Sequence, residues 1–293
     1  MKVSGKTKVC TLIGDPVEHS LSPLIHNAAF EYLGLDYIYL AFTVKKEGLR
    51  DAISGVRGLG IYGVNVTMPH KTEVIQYLDV LDETAKNVGS VNTILNRDGK
   101  LIGYTTDGAG AVNALRYYGV DPTGKKVVIL GAGGSSRSIS FTLARMTKEL
   151  VILNRTLEKA ERLRKDLSES SGITSRIVAA ELNNEALKRE LSDADILINA
   201  TSVGMKNADE TPVPSSLLKP HLVVFDLVYD PIETRLLREA RIVGAKTVDG
   251  LAMLIHQGAA SFEIWSGMEA PVDLMFRVAM ERLREAGKTV SEA

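Results

Sequence analysis

Two residues far apart in the chain are suited to handling a proton: Lys71, which ends the stretch NVTMPHK (65–71), and Asp107, in TTDG (105–108). A lysine ammonium can stabilise a developing alkoxide and deliver a proton to it, and in the reverse direction the neutral amine can take that proton back. The ordinary lysine pKa, about 10.4, is too high for the second role at neutral pH. Burial lowers it and a carboxylate raises it, so an aspartate partner serves to orient the lysine rather than to activate it. Hydroxyls and amides accompany the pair: Ser20 and Ser22 in DPVEHSLSP, Asn65 and Thr67 on the lysine's own stretch, and Asn92 in SVNT. Together they describe a pocket for a small, polyhydroxylated, anionic molecule. Singly, each has a plainer reading: Ser22 as an N-cap followed by Pro23, Asn92 and Asp107 as turn formers, Lys71 as a surface lysine.

A second cluster of chemistry stands on VVILGAGGSSRSISF (127–141), where Gly131, Ala132, Gly133, Gly134 and Ser135 join an apolar stretch to a helix-like one. Glycines at a strand-to-helix junction let backbone N–H groups approach a pyrophosphate at the positive end of the helix. The third glycine of the dinucleotide fingerprint is replaced by Ser136, small enough for close helix packing. The next strand ends in Asn154, Arg155 and Thr156, with Lys159 one turn on. An acid at that strand end would hold a ribose 2′-hydroxyl; an arginine fork, a hydroxyl and an amine suit a 2′-phosphate, so the expected cofactor is NADP(H). The later stretch INATSVGM (198–205) is small enough for close approach to a cofactor.

The elements that must position these groups follow from periodicity. Strands are expected over 8–14, 36–44 and 61–67 and helices over 22–34 and 47–58, with Gly34 a C-terminal stop and a hairpin turning on Asp98-Gly99. From about 108 the pattern becomes strictly alternating: helix 109–119, strand 125–130, then strands and helices in turn to 248, the mark of a doubly wound parallel sheet. The fold class is therefore α/β, with an N-terminal α/β domain over 1–107 and a Rossmann dinucleotide-binding domain over 108–251.

Composition sets outer bounds. The 293 residues are 45% hydrophobic and 24% charged with a formal net charge of −1, which gives no electrostatic reason to expect nucleic acid or an anionic membrane. A single cysteine, Cys10, excludes an intramolecular disulfide or a cysteine-based metal site, and His19, His26, His70, His221 and His256 lack metal-ligand spacing; no metal is expected. No apolar run has the length of a secretory signal or a membrane span, so a cytoplasmic protein is expected. The amphipathic stretch 272–287 leaves monomer and homodimer both open.

The motifs SLSP, NVTMPHK, GSVNT, TDG, GAGGSSR, NRT, NATSVGM and DGLAMLIHQGAASFEIW occur in the order found in the shikimate dehydrogenase family, and the chain resembles that family over nearly its whole length. The resemblance implies NADPH-dependent, reversible reduction of 3-dehydroshikimate to shikimate, on the way to chorismate and the aromatic amino acids. It implies Lys71 and Asp107 as the catalytic pair, Ser20 and Ser22 on the substrate carboxylate, and Asn65, Thr67, Asn92, Asp107, Tyr229 and Gln257 around the ring. Gly131 to Ser135, Asn154 to Lys159, Thr201, Leu227 and Gly250 would hold the cofactor. It further implies that C-terminal helices, about 252–293, complete the first domain. Thr106 stands where the family usually has Asn, and Ser135 and Ser136 where it usually has alanines. Three other readings stay open: a quinate/shikimate dehydrogenase working in oxidation, a reductase of another carbonyl such as an aminoacyl thioester, and an NADPH-binding regulator without turnover.

Overall fold

The computed structural model describes residues 3–285. These divide into two compact units, one of residues 3–107 with Ile255–Arg282, the other of Gly108–Leu254 with residues 283–285.

The first unit runs β1 (Lys8–Gly14), α1 (Ser22–Tyr32), β2 (Tyr37–Thr43), α2 (Leu49–Gly58), β3 (Gly63–Val66), β4 (Val80–Leu81), α3 (Glu83–Val88), β5 (Thr93–Arg97) and β6 (Lys100–Tyr104). Its six-stranded sheet has the order β2-β1-β3-β5-β6-β4, with β2, β1 and β3 parallel, β5 antiparallel to both its neighbours, and β4 parallel to β6. The hairpin of β5 and β6 turns on Asp98 and Gly99, with φ of 53° and 85°, the paired positive angles that match the twist of the flanking strands. Helix α1 stops as expected at Gly34 (φ 65°). Its start differs: the N-cap is Leu21 and Ser22 is already the first helical residue, its N–H taken by Ser20 Oγ at 3.2 Å. Because Ser20 supplies that acceptor from one step earlier, Ser22 is not the cap. Sequence periodicity also passes over α3, whose cues are local: Asp82 accepts N–H groups of Thr84 and Ala85, and Gly89 closes the helix at φ 64°.

The second unit continues with α4 (Asp107–Tyr117), β7 (Lys126–Leu130), α5 (Gly134–Leu143), β8 (Glu149–Asn154), α6 (Leu157–Ser168), β9 (Arg176–Glu181), α7 (Asn184–Glu190), β10 (Ile196–Asn199), β11 (Val223–Asp226), α8 (Arg235–Ile242) and β12 (Lys246–Val248). All six strands are parallel, in the order β12-β11-β10-β7-β8-β9. Read from the other edge this is the doubly wound order in which the chain starts at the centre and reverses direction between β7 and β10, so ligand groups belong at the carboxyl ends of those strands. Strands such as β7 and β8 carry unbroken apolar runs because both faces are covered: Val128, Leu130, Val151 and Leu153 pack with Leu197, Val224 and Leu237 in one core.

Two further helices, α9 (Gly250–Ser266) and α10 (Val272–Glu285), end the described chain, and residues from Ile255 to Arg282 count with the first unit. There Trp265 lies on β3 and β5: a Cβ on Gly63 would sit 2.7 Å from the indole, and the indole N–H donates to Ile94 O at 3.0 Å. Gly63 is glycine because the ring occupies that space. Among the described residues no helix is long and apolar enough to cross a membrane.

Candidate active site

The carboxyl ends of β1 and β3 are held together by a close approach. A Cβ on Gly14 would fall 2.2 Å from Thr67 Cγ2, and Asp15 N–H donates to Met68 O at 3.0 Å. The loop that carries Ser20 and Ser22 is thereby joined to the loop that carries Lys71. Lys71 is fixed from its own backbone, since its carbonyl accepts the N–H of Val91 at 2.8 Å, one residue before Asn92. Lys71 Nζ then reaches Asp107 Oδ2 at 2.5 Å, with the two side chains 15% and 2% exposed. Asp107 opens α4, where the helix dipole favours a carboxylate.

The Asn92 amide completes this arrangement, and its orientation is decided by a donor that can only donate. Thr106 N–H lies 2.8 Å from Asn92 Oδ1, so Nδ2 must face the other way. There it meets Asp107 Oδ1 (2.9 Å), Thr106 Oγ1 (2.8 Å) and Gln257 Oε1 (3.2 Å), three acceptors around two hydrogens. Thr106, in the place of the family's usual Asn, uses its hydroxyl twice, accepting from Asn92 and donating to Gln257 O at 3.0 Å. Thus Lys71, Asp107, Asn92 and Gln257 are brought together within the first unit, on three separate stretches of chain and α9.

Asn65 is also in this unit but is 5% exposed, and Tyr39 and Ser261, which sequence reasoning did not single out, are its neighbours. His70, beside the lysine, is fully buried, and its Nε2 lies 2.6 Å from Val44 O. A carbonyl only accepts, so Nε2 carries the hydrogen and His70 pins the MPHK turn to the segment after β2. His26 is likewise buried, stacked on Tyr39 with ring centroids 4.4 Å apart, and burial pushes it down to about 3, keeping it neutral.

The second unit carries the residues expected to hold a cofactor. Gly131 follows β7 with φ of 105°, and a Cβ there would meet Ala200 O at 3.0 Å, so the turn needs glycine on both counts. Helix α5 begins at Gly134 with no acidic residue in its first turn, and a Cβ on its N-cap Gly133 would meet nothing within 4 Å. An N-terminus left positive, with open space before it, fits a pyrophosphate. Ser136, the departure from the fingerprint, is fully buried and donates to Gly131 O at 2.6 Å, so its hydroxyl braces the turn that glycine would merely permit. Asn154 Nδ2 donates to Thr156 O at 2.8 Å, shaping the strand end, while Arg155, Thr156 and Lys159 are exposed. The fit to a 2′-phosphate rests on these two cations with no acid among residues 154–156.

At the ends of β10 and β11 lies a hub that sequence reasoning missed. Asp226 is fully buried and accepts from Asn199 Nδ2 (2.9 Å), Val228 N–H (3.1 Å) and the Thr234 hydroxyl (2.7 Å). Asn199 in turn accepts from Thr201 N–H and hydroxyl, so the loops bearing Thr201 and Leu227 are tied to one carboxyl group. Burial outweighs the three donors and pushes Asp226 up to about 6. Gly250 follows closely: a Cβ there would lie 2.4 Å from Val228 O and 2.7 Å from Leu227 O. Tyr229, assigned to the substrate by resemblance, is in this second unit three residues after Asp226. Among the described residues no group of His, Cys, Asp and Glu could hold a metal ion.

A six-stranded doubly wound sheet with a glycine turn, in one chain with an α/β unit holding a lysine–aspartate pair, defines a nicotinamide-dependent oxidoreductase. Family models match the chain in three successive parts: a shikimate dehydrogenase substrate binding domain over 12–94, a shikimate / quinate 5-dehydrogenase model over 114–251, and a shikimate 5′-dehydrogenase C-terminal domain over 250–280. The chain belongs to the shikimate dehydrogenase family. It is 52% identical over 284 residues to shikimate dehydrogenase (NADP(+)) of Pyrococcus furiosus, covering 97% of this chain and 99% of that protein. Among solved structures it is similar to a shikimate dehydrogenase in complex with NADP+, with TM-score 0.88, 45% identity and coverage of 96% and 97%. It is also similar to shikimate 5-dehydrogenase of Listeria monocytogenes in complex with shikimate and NAD, with TM-score 0.87, 41% identity and coverage of 95% and 98%.

Proposed function

We propose that this chain catalyses the reversible, NADPH-dependent reduction of 3-dehydroshikimate to shikimate, in the pathway to chorismate and the aromatic amino acids. The observation that carries the reading is the largely buried Lys71–Asp107 pair, oriented by Asn92, in a chain of this family. NADPH, when bound, supplies the hydride. The residues of the first unit supply the rest. Lys71, as an ammonium, holds the ketone oxygen and gives it a proton as negative charge develops there; in the oxidation direction its neutral amine takes that proton from the hydroxyl. Asp107 keeps the amine aimed and accepts from a substrate hydroxyl, and Asn92 and Gln257 orient the ring. Ser20 and Ser22 take the carboxylate, with Thr67 on the lysine's loop and Tyr229 completing the set.

The first unit serves as the substrate domain and the second as the dinucleotide domain, where Gly131 to Ser135, Asn154 to Lys159, Thr201, Leu227 and Gly250 hold the cofactor. Arg155 and Lys159 favour NADP(H) over NAD(H). The protein works in the cytoplasm as a monomer or homodimer on small molecules, without nucleic acid or membrane; the near-neutral net charge of −1 supports this. The test is an absorbance assay of shikimate and quinate, each with NADP+ and NAD+. The highest kcat/KM is expected for shikimate with NADP+. A higher value for quinate with NAD+, or no turnover at all, overturns the assignment.

A further inference from the structure

The polar groups around Asp107 do not end at Asn92. Beneath them, Asn65 Nδ2 lies 3.1 Å from Asn92 O, 3.2 Å from Thr93 Oγ1 and 3.0 Å from Ser261 Oγ. Since the Asn92 carbonyl can only accept, the amide group of Asn65 must face it, and Asn65 Oδ1 points back into the unit. What it meets there is the hydroxyl of Tyr39 at 2.7 Å, which must donate. Tyr39 is fully buried, and its ring is packed in the aromatic cluster, stacked on His26 and tilted against Trp265. The hydroxyl is therefore held at one place and can turn only about its own C–O bond.

From Asn65 the contacts run outward without a gap. Ser261 and Thr93 hydroxyls are 2.7 Å apart, Thr93 Oγ1 is 3.2 Å from Asn92 Oδ1, and Ser261 Oγ is 3.3 Å from Thr106 Oγ1. With Thr93 donating to Asn92 Oδ1 and Thr106 to Gln257 O, the single Ser261 hydrogen serves Thr93, Thr106 or Gln257 O (3.0 Å) one at a time, so the two routes to the Asn92 amide, whose Nδ2 holds Asp107, are alternatives. Every member from Tyr39 to Asp107 is at most 5% exposed, so bulk solvent does not reach these positions. In so dry a setting a hydrogen bond is directional and an unmet group is costly, and a rotation of Asn65 would leave Asn92 O facing an oxygen.

We infer that Tyr39 is a positioning residue for the Lys71–Asp107 pair, acting through Asn65 and Ser261 on the Asn92 amide. This rests on the dehydrogenase reading above. It also gives Asn65 a different task from the ring contact that family resemblance implies: its amide supports the wall of the site from within.

Tyr39→Phe keeps the ring and its stack on His26 and removes only the hydroxyl. In shikimate oxidation with NADP+, kcat is expected to fall about 3- to 10-fold, the cost of one buried hydrogen bond, with KM for both substrates within about twofold. Ser261→Ala acts in the same direction, and the double variant loses little more than the worse single one, because both act on one amide. A second readout needs no turnover: in the protein without substrate, the side-chain amide NMR signals of Asn92 move in both variants. Unmoved Asn92 signals together with unchanged kcat in folded Tyr39→Phe overturn the inference. If the wild type turns over neither shikimate nor quinate, the functional reading fails, and the Asn92 signals alone decide whether Tyr39 sets that amide.

Discussion

The first unit builds its candidate site from side chains, the second from backbone and surface charge. Around Lys71, the side chains of Asp107, Asn92, Gln257 and Asn65 form with it one largely buried hydrogen-bonded set, each member pinned by at least one partner that can only donate or only accept. Around Gly131 the candidate groups are a helix N-terminus, glycines and the exposed Arg155, Thr156 and Lys159. The difference follows from the chemistry served. A proton must be delivered to one atom, which demands fixed geometry. A phosphate can be held by dipoles and mobile cations, which demand only proximity. Side-chain networks should thus fail steeply and together; surface contacts should fail locally.

The largest contrast is expected at Lys71. Lys71→Ala should lower kcat by about 10²- to 10⁴-fold with KM for shikimate changed much less, as steady-state kinetics will report; a large rise in KM at unchanged kcat would make Lys71 a binding residue and dissolve the comparison. Next comes pH, through the one buried carboxyl group of the second unit that holds loops. Burial raises Asp226 to about 6, above the 3.8 of an ordinary aspartic acid. Its uncharged form is the favoured one in the fold. That contribution to stability is full below about pH 4 and is lost as pH rises through about 6, worth about 3 kcal/mol for a shift of this size. Urea midpoints measured across that window should fall for the wild type relative to Asp226→Asn; parallel curves would mean that Asp226 ionises freely. The effect at Arg155 is confined to one cofactor: Arg155→Ala is expected to raise KM for NADP(H) about 10- to 100-fold, the range of lost charge-assisted hydrogen bonds, and to leave NAD(H) and shikimate nearly unaffected. Equal effects on both cofactors would remove Arg155 from the 2′-phosphate.

How far the molecule was legible depends on whether the signal is local. Strand 8–14 coincides with its expected limits and β8 with its expected end at Asn154, because a strand buried on both faces writes an apolar run that stops where the polar residues begin. Lys71, Asp107, Asn92 and Gln257 could be named because they stand on motifs at strand ends or in a recognisable helix. Tyr39 and Ser261 could not. Tyr39 sits in an inward position of β2, where an aromatic residue reads as core, and the partner that makes its hydroxyl matter is 26 residues away. Ser261 meets Asn65 across 196 residues. Its one cue was helical spacing: Gln257, Ser261 and Trp265 recur every fourth residue on one face of α9. Asp226 was hidden for a similar reason, since an acid at a strand end reads as solvated until Asn199 and Thr234 are seen to enclose it. Ser22 was misassigned because the residue supplying the acceptor, Ser20, was read only as a ligand group.

Trp265 is the single tryptophan of the chain, and it is 2% exposed against Gly63 with its N–H on Ile94. The protein therefore carries a built-in optical label confined to one of its units. Its emission will report the loosening of β3, β5 and α9 while remaining blind to the doubly wound sheet. Protonation of His26, whose ring centroid is 5.4 Å from the indole, should be visible as quenching only once that unit begins to open. A red shift that precedes loss of far-ultraviolet ellipticity would then time the two units' unfolding separately in a single sample.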